Sequence, residues 1–119
     1  SIMNPSDDCL FCGIIKKKIP ADVIHETDDI LAFHDINPEA PHHYLIIPKN
    51  HIATINNLNS DNSFVIGLMF EAAVFLARKL GVAETGYRVV MNCNEDAGQT
   101  VFHIHLHFLA GRNLTWPPG

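Results

Sequence analysis

The sequence predicts an α+β fold: a five-stranded antiparallel sheet with one long and one short helix. Three observations carry that expectation. Short runs rich in β-branched and aromatic residues are closed by Asn, Asp, Gly or Pro, as strands between turns are. From about Ser60 to Leu80, apolar residues recur at three- and four-residue steps, the helical period. Val101-Phe102-His103-Ile104-His105-Leu106-His107-Phe108-Leu109 alternates imidazoles with apolar side chains, the period of an extended strand.

Taken in order, Phe11 to Lys18 reads as a short helix, closed by Ile19-Pro20 because proline cannot continue it. Val23 to Glu26 and Ile30 to His34 form a hairpin around Thr27-Asp28-Asp29, and Tyr44 to Ile47 is a third strand, entered through Asn37-Pro38 and ended by Pro48. In the long helix Val65, Leu68, Met69, Ala72, Leu76 and Leu80 share a stripe. Asn59 or Ser60 caps its start, and Gly81 takes the left-handed position at its end. Tyr87 to Asn92 and Thr100 to Ala110 are the last two strands, joined by Asn94-Glu95-Asp96-Ala97-Gly98. Residues 3–119 are expected to form one domain, with 111–119, which include Trp116-Pro117-Pro118, as an extended arm.

The chain of 119 residues is 47% hydrophobic and carries a net charge of −5, the profile of a globule with its own core. Its one basic run, Lys16-Lys17-Lys18, reads as a solvated helix end, so a nucleic-acid polymer is not an expected partner. No apolar stretch approaches the roughly 20 residues that span a bilayer and no charged-then-apolar leader opens the chain, so a cytoplasmic protein away from membranes is expected. Ser1 and Ile2 precede Met3 and are left out of the fold argument. Three cysteines make a poor disulfide framework.

The imidazole row is the chemical centre of the chain. His103, His105 and His107 project from one side, about 7 Å apart per step, while Ile104, Leu106 and Phe108 face a core. Imidazole titrates near neutrality, so one ring can act as a nucleophile and its neighbours as proton carriers. Gly98-Gln99-Thr100 precedes the row with an amide, a hydroxyl and unhindered backbone N–H groups, the parts of a phosphate site. Asp35, in Phe33-His34-Asp35-Ile36-Asn37-Pro38, either accepts hydrogen bonds from a ribose diol or caps the turn before Asn-Pro. His43 is either a proton relay or a loop histidine. Cys9-Leu10-Phe11-Cys12 has the spacing of half a tetrahedral zinc site, and His51 with one member of the triplet would complete it.

These residues together resemble the histidine triad family, in its purine nucleoside phosphoramidase branch. The family motif His-x-His-x-His-x-x is met by His103 to Leu109, and Phe33 to Ile36, Pro41 to His51, Gly98 to Thr100 and Trp116 to Gly119 match further segments of that branch. The resemblance implies a HIT-like fold and a hydrolase of purine nucleoside 5′-phosphoramidates. His105 would attack the α-phosphorus to give a nucleotidyl-histidine, and water would release the nucleoside monophosphate. It further implies that His107, Gln99, Gly98 and Asn92 hold the phosphate, that Thr100 sits near the leaving amine, and that His43 hydrogen-bonds toward the nucleophile. Asp35 would hold the ribose, and Leu10, Phe11, Ile14, Phe33, Ile36 and Leu45 would line a purine slot. Relatives that keep both cysteines place structural zinc on the equivalents of Cys9, Cys12, His51 and His103. No organic cofactor is implied.

The same resemblance implies a homodimer in which the long helix and the strand at Tyr87 to Asn92 meet across a two-fold axis, bringing Trp116 toward the partner's leaving-group side. Three other readings compete: a dinucleoside polyphosphate hydrolase, a nucleotide-binding regulator, and a catalytic metal held by His105 and His107.

Overall fold

A computed structural model describes residues 8–119; positions 3–7 of the expected domain lie outside the described residues. The elements run α1 (Leu10–Ile15), β1 (Val23–Glu26), β2 (Ile30–His34), β3 (His42–Pro48), α2 (Phe64–Lys79), β4 (Tyr87–Val90) and β5 (Leu106–Ala110). The five strands form one antiparallel sheet in the order β1-β2-β3-β5-β4. The predicted sheet and both helices are present, with β3 at the centre.

Both faces of the sheet are covered, which explains why β2 and β3 read as nearly unbroken apolar runs. Ile30, Ala32, Tyr44 and Ile46 point to one face, where Val65, Met69, Ala72 and Leu76 of α2 pack with Ile104, Leu106 and Phe108. Leu31, Phe33, Leu45 and Ile47 point to the other, against Phe11 and Ile14 of α1. Leu76 is fully buried, so truncation to alanine there costs about 2–5 kcal/mol.

Several boundaries differ from expectation for local reasons. Helix α1 starts one residue early because the Cys9 thiol caps it, accepting from the Cys12 N–H at 3.3 Å. It stops at Ile15 because Lys17 takes a positive φ of 62°, and the Lys18 and Ile19 N–H groups turn back to the Gly13 carbonyl. Gly13 sits close beneath that turn: a Cβ there would lie 2.5 Å from the tip of the Ile19 side chain, which would have to shift. Helix α2 begins at Phe64, not near Ser60, because Asn59 folds the preceding residues into their own turn, its Oδ1 accepting from the Asp61 and Asn62 N–H groups. Gly81 does take the left-handed conformation, at φ 73°.

The largest difference is at β5, which starts at Leu106 and not at Thr100. Its ladder with β3 ends at Leu106 opposite Ile46. Farther along β3 stands Pro48, which has no N–H and whose carbonyl is taken by the His103 ring, while the Ile104 N–H goes to the Ile52 carbonyl. Strand β4 likewise ends at Val90, two residues short of Asn92. Among the described residues no helix is long and apolar enough to cross a membrane.

Candidate active site and metal cluster

The triplet does not act as one row. Where the chain leaves the ladder, His103 turns to the N-terminus of α1, while His105 and His107 face a separate cleft.

At the first position, ligand atoms of Cys9, Cys12, His51 and His103 all lie within 4.8 Å of one another. His103 Nδ1 is 3.3 Å from the Cys9 sulfur, 3.5 Å from the Cys12 sulfur and 3.2 Å from His51 Nδ1, and Cys12 Sγ is 3.4 Å from His51 Nδ1. The His103 Nε2 lies 2.7 Å from the Pro48 carbonyl, which can only accept. The proton therefore sits on Nε2, and Nδ1 presents a lone pair to the cluster. Burial first, then the neighbouring Cys9, pushes the Cys12 thiol up to about 11. A tetrahedral zinc ion with two sulfur and two nitrogen ligands has ligand–ligand edges of about 3.3–3.8 Å, and the four separations above, 3.2–3.5 Å, lie at the short end of that range.

At the second position, a cleft of about 540 Å³ opens between α1, the end of β2 and the loop before β5. His105 Nδ1 lies 2.8 Å from the His103 carbonyl, so Nδ1 carries the proton and Nε2 is left with its lone pair. His107 Nδ1 is 2.9 Å from His43 Nε2. The Glu39 N–H donates to His43 Nδ1 at 3.0 Å, so the His43 proton sits on Nε2 and points at His107. His107 must then carry its own proton on Nε2, as a donor. Burial lowers all three rings from the ordinary imidazole value, His107 to about 4, and keeps them neutral.

Of the two expected tasks of Asp35, the structure shows the turn cap. Its Oδ1 accepts from the Asn37 N–H at 2.8 Å, capping the turn, while Oδ2 stands 3.4 Å from His43 Nε2 at the cleft wall. Ligand atoms of Asp35, His43 and His107 also lie within 4.8 Å of one another. The Glu39 N–H opposes a metal there, since it needs the His43 tautomer whose Nε2 is already protonated.

The expected slot residues Leu10, Phe11, Ile14, Phe33, Ile36 and Leu45 line this cleft, as do Asn92, Gly98, Thr100, His105 and His107. Ile36 is 91% exposed and forms the rim. Gln99 does not join them. Its amide nitrogen donates to the Ala53 and Val101 carbonyls and its oxygen accepts from the Asn94 N–H, so a buried side chain is spent on holding the loop. The Gly98 and Gln99 N–H groups are also engaged, with the Glu95 and Asn94 carbonyls, and are not the unhindered donors expected. His43 bonds to His107, not to the nucleophile candidate His105. Trp116 lies outside the cleft, 80% exposed, with the Arg88 guanidinium 5.9 Å from its ring centre, and Arg88 holds the arm through the Leu114 and Thr115 carbonyls. The groups that sequence reasoning missed include the backbone acceptors and donor of Pro48, His103 and Glu39, which no side-chain pattern reports. Ile19, Pro20 and Ala21 also line the far end of the cleft.

A family model described as "Scavenger mRNA decapping enzyme C-term binding" matches residues 8–115. The purine nucleoside phosphoramidase of Escherichia coli K12 is 42% identical over 109 residues, 92% of each chain. This chain belongs to the histidine triad family. A crystal structure of a HIT family hydrolase from Legionella pneumophila superposes with a TM-score of 0.92 at 54% identity, covering 94% of this chain and all of that one. A HIT family hydrolase from Clostridium thermocellum superposes at 0.89 and 45% identity, over 92% and 95% of the two chains. The fold is thus that of histidine triad hydrolases.

Proposed function

We propose that the chain hydrolyses purine nucleoside 5′-phosphoramidates through a nucleotidyl-histidine intermediate. The observation that carries this reading is the His105 tautomer: a buried imidazole with its proton tied to the His103 carbonyl and its Nε2 lone pair facing the cleft. Attack by Nε2 on the α-phosphorus forms a P–N bond as the bond to the leaving amine breaks, and the amine nitrogen takes a proton from solvent, which the later hydrolysis returns. Water then displaces His105, giving the nucleoside monophosphate. Splitting the reaction this way lowers each barrier, and donors fixed in a dry site stabilise the phosphoryl oxygens.

In this reading the His107 Nε2–H donates to a phosphoryl oxygen, with His43 behind it as the next member of a proton chain. Asn92 and the Cβ-free face of Gly98 border the phosphate, and Thr100 stands toward the leaving amine. The apolar wall takes the base by burial, and the outer oxygen of Asp35 accepts from the ribose. Similarity to the Escherichia coli phosphoramidase supports this choice over a dinucleoside polyphosphate substrate. Comparing steady-state hydrolysis of adenosine 5′-phosphoramidate with that of a diadenosine polyphosphate tests it. Faster turnover of the dinucleotide would reverse the assignment.

Cys9, Cys12, His51 and His103 would hold one structural zinc ion, whose role is to tie α1 to the segment before β5. The reading also includes a homodimer. Phe70, Val74 and Tyr87 are exposed around an apolar hollow that Val89 and Gly67 complete, a surface that suits a second copy. We expect a dimeric mass in solution at micromolar concentration and a monomeric one for Val74→Glu. Removing residues 115–119 should leave the dimer folded and change the ranking of leaving groups several-fold. An unchanged ranking would remove the arm from substrate selection.

A further inference from the structure

We propose that Phe11 is a positioning residue that fixes the plane of the His105 ring for attack, over and above its place in the wall of the cleft. The inference rests on the reading of His105 as the nucleophile.

One hydrogen bond to the His103 carbonyl sets which nitrogen of His105 carries the proton, but a single attachment leaves the ring free to tilt about it. Two flanking rings remove that freedom. Phe11 stands on one flank, its centroid 5.1 Å from that of His105 and the planes 87° apart. His107 stands against the same ring, also at 5.1 Å. In-line attack on phosphorus requires the Nε2 lone pair to be aimed before substrate arrives, and small errors of aim are costly in rate.

Phe11 is itself packed on several sides. It is 4% exposed, meets Phe33 edge-on at 5.6 Å and reaches His103 at 5.9 Å. It sits between Cys9 and Cys12 in the turn that the Cys9 thiol caps. The low exposure also separates Phe11 from its neighbours in the slot: Leu10 is 46% exposed and offers a base open surface, whereas the Phe11 ring is already enclosed by protein. Its contacts therefore favour a role in ordering the nucleophile over one in gripping the base.

The test is rapid-quench formation of the covalent nucleotidyl-protein from adenosine 5′-phosphoramidate, alongside binding of adenosine monophosphate. Phe11→Leu and Phe11→Met remove the ring and keep apolar bulk; Phe11→Tyr keeps the ring; Leu10→Ala serves as the slot control. Folding of each is checked by thermal melting. We expect the rate of covalent bond formation to fall about ten- to hundredfold in the two ring-free variants and less than about threefold in the tyrosine variant. Nucleotide affinity should change less than about fivefold in all three, with Leu10→Ala showing the opposite split, a larger loss in binding than in rate. A ring-free variant that forms the adduct at the wild-type rate, or a tyrosine variant that falls as far as leucine, overturns the inference. Failure to trap any adduct on the wild-type protein is a different result, since it removes the nucleophile reading itself.

Discussion

His103 and His105 are separated by one residue, are both buried, and each gives one ring N–H to a backbone carbonyl. They nevertheless face different chemistry. His103 donates through Nε2 to Pro48 and turns Nδ1 toward two thiols and a second imidazole; His105 donates through Nδ1 to His103 and turns Nε2 toward the cleft. The difference teaches that histidine's role here is assigned by which nitrogen meets a carbonyl, a choice made by the backbone path around each residue. One cluster brings two sulfurs and two imidazoles together and has the geometry of a ligand set. The other keeps a lone pair and a donor aimed into open space, as a reacting site requires.

Substitutions can break this contrast at each end. The largest effect is expected for His105→Ala, which should lose at least about a thousandfold in kcat while binding nucleotide nearly as well as wild type, because a nucleophile acts in the transition state. Retention of more than about a tenth of the activity would mean that His105 does not form the adduct. His107→Ala should cost roughly a hundredfold in kcat by removing one donor to the phosphoryl group, with the adduct still detectable by rapid quench. Complete absence of the adduct in that variant would instead give His107 the first step.

The other cluster should respond in stability. Stoichiometric zinc by elemental analysis, and a melting temperature lowered by roughly 10 °C on chelation or in Cys12→Ser, are the expected outcomes. Protein that remains folded after chelation should keep its rate within about threefold; immediate loss of turnover without unfolding would make the metal catalytic and erase the contrast. The smallest effect concerns pH. His107 is held at about 4 in the fold against an ordinary value of 6.5, chiefly by burial, so the fold favours its neutral form. That stabilisation is complete above pH 6.5 and is lost as pH falls toward 4, since the unfolded chain takes up a proton that the folded one refuses. The gap in melting temperature between wild type and His107→Asn should therefore narrow on going from pH 7 to pH 5. A gap that widens would contradict the burial argument.

Much of this was legible in the residues. The succession of strands and helices along the chain, the helix stripe and Gly81 follow from periodicity and turn chemistry that tertiary packing then reinforces. The cysteine pair, His51 and His103 do come together, because a Cys-x-x-Cys turn places both sulfurs at one helix start. What stayed hidden was carried by backbone groups. Alternation across Val101 to Leu109 predicts a continuous strand, and nothing in those nine residues announces that Pro48, far away in sequence, lacks the N–H needed to continue the ladder. Gln99 fails for a related reason. An amide beside a glycine reads as a ligand donor, yet the Ala53 and Val101 carbonyls and the Asn94 N–H claim it first. His43 is similar: its partner is His107 and not His105, and the Glu39 N–H that sets its proton has no side-chain signature.

The early end of β5 has a consequence for anyone who would engineer this protein. Regular pairing through residues 101–105 looks like an improvement, since it would add ladder hydrogen bonds. It would also give the His103 carbonyl a strand neighbour's N–H to accept in competition with the His105 ring, weakening the bond that fixes that ring's proton on Nδ1. A more regular sheet would therefore be a poorer catalyst, and stabilising changes are better sought on the α2 side, away from the stretch of chain that the sheet leaves unpaired.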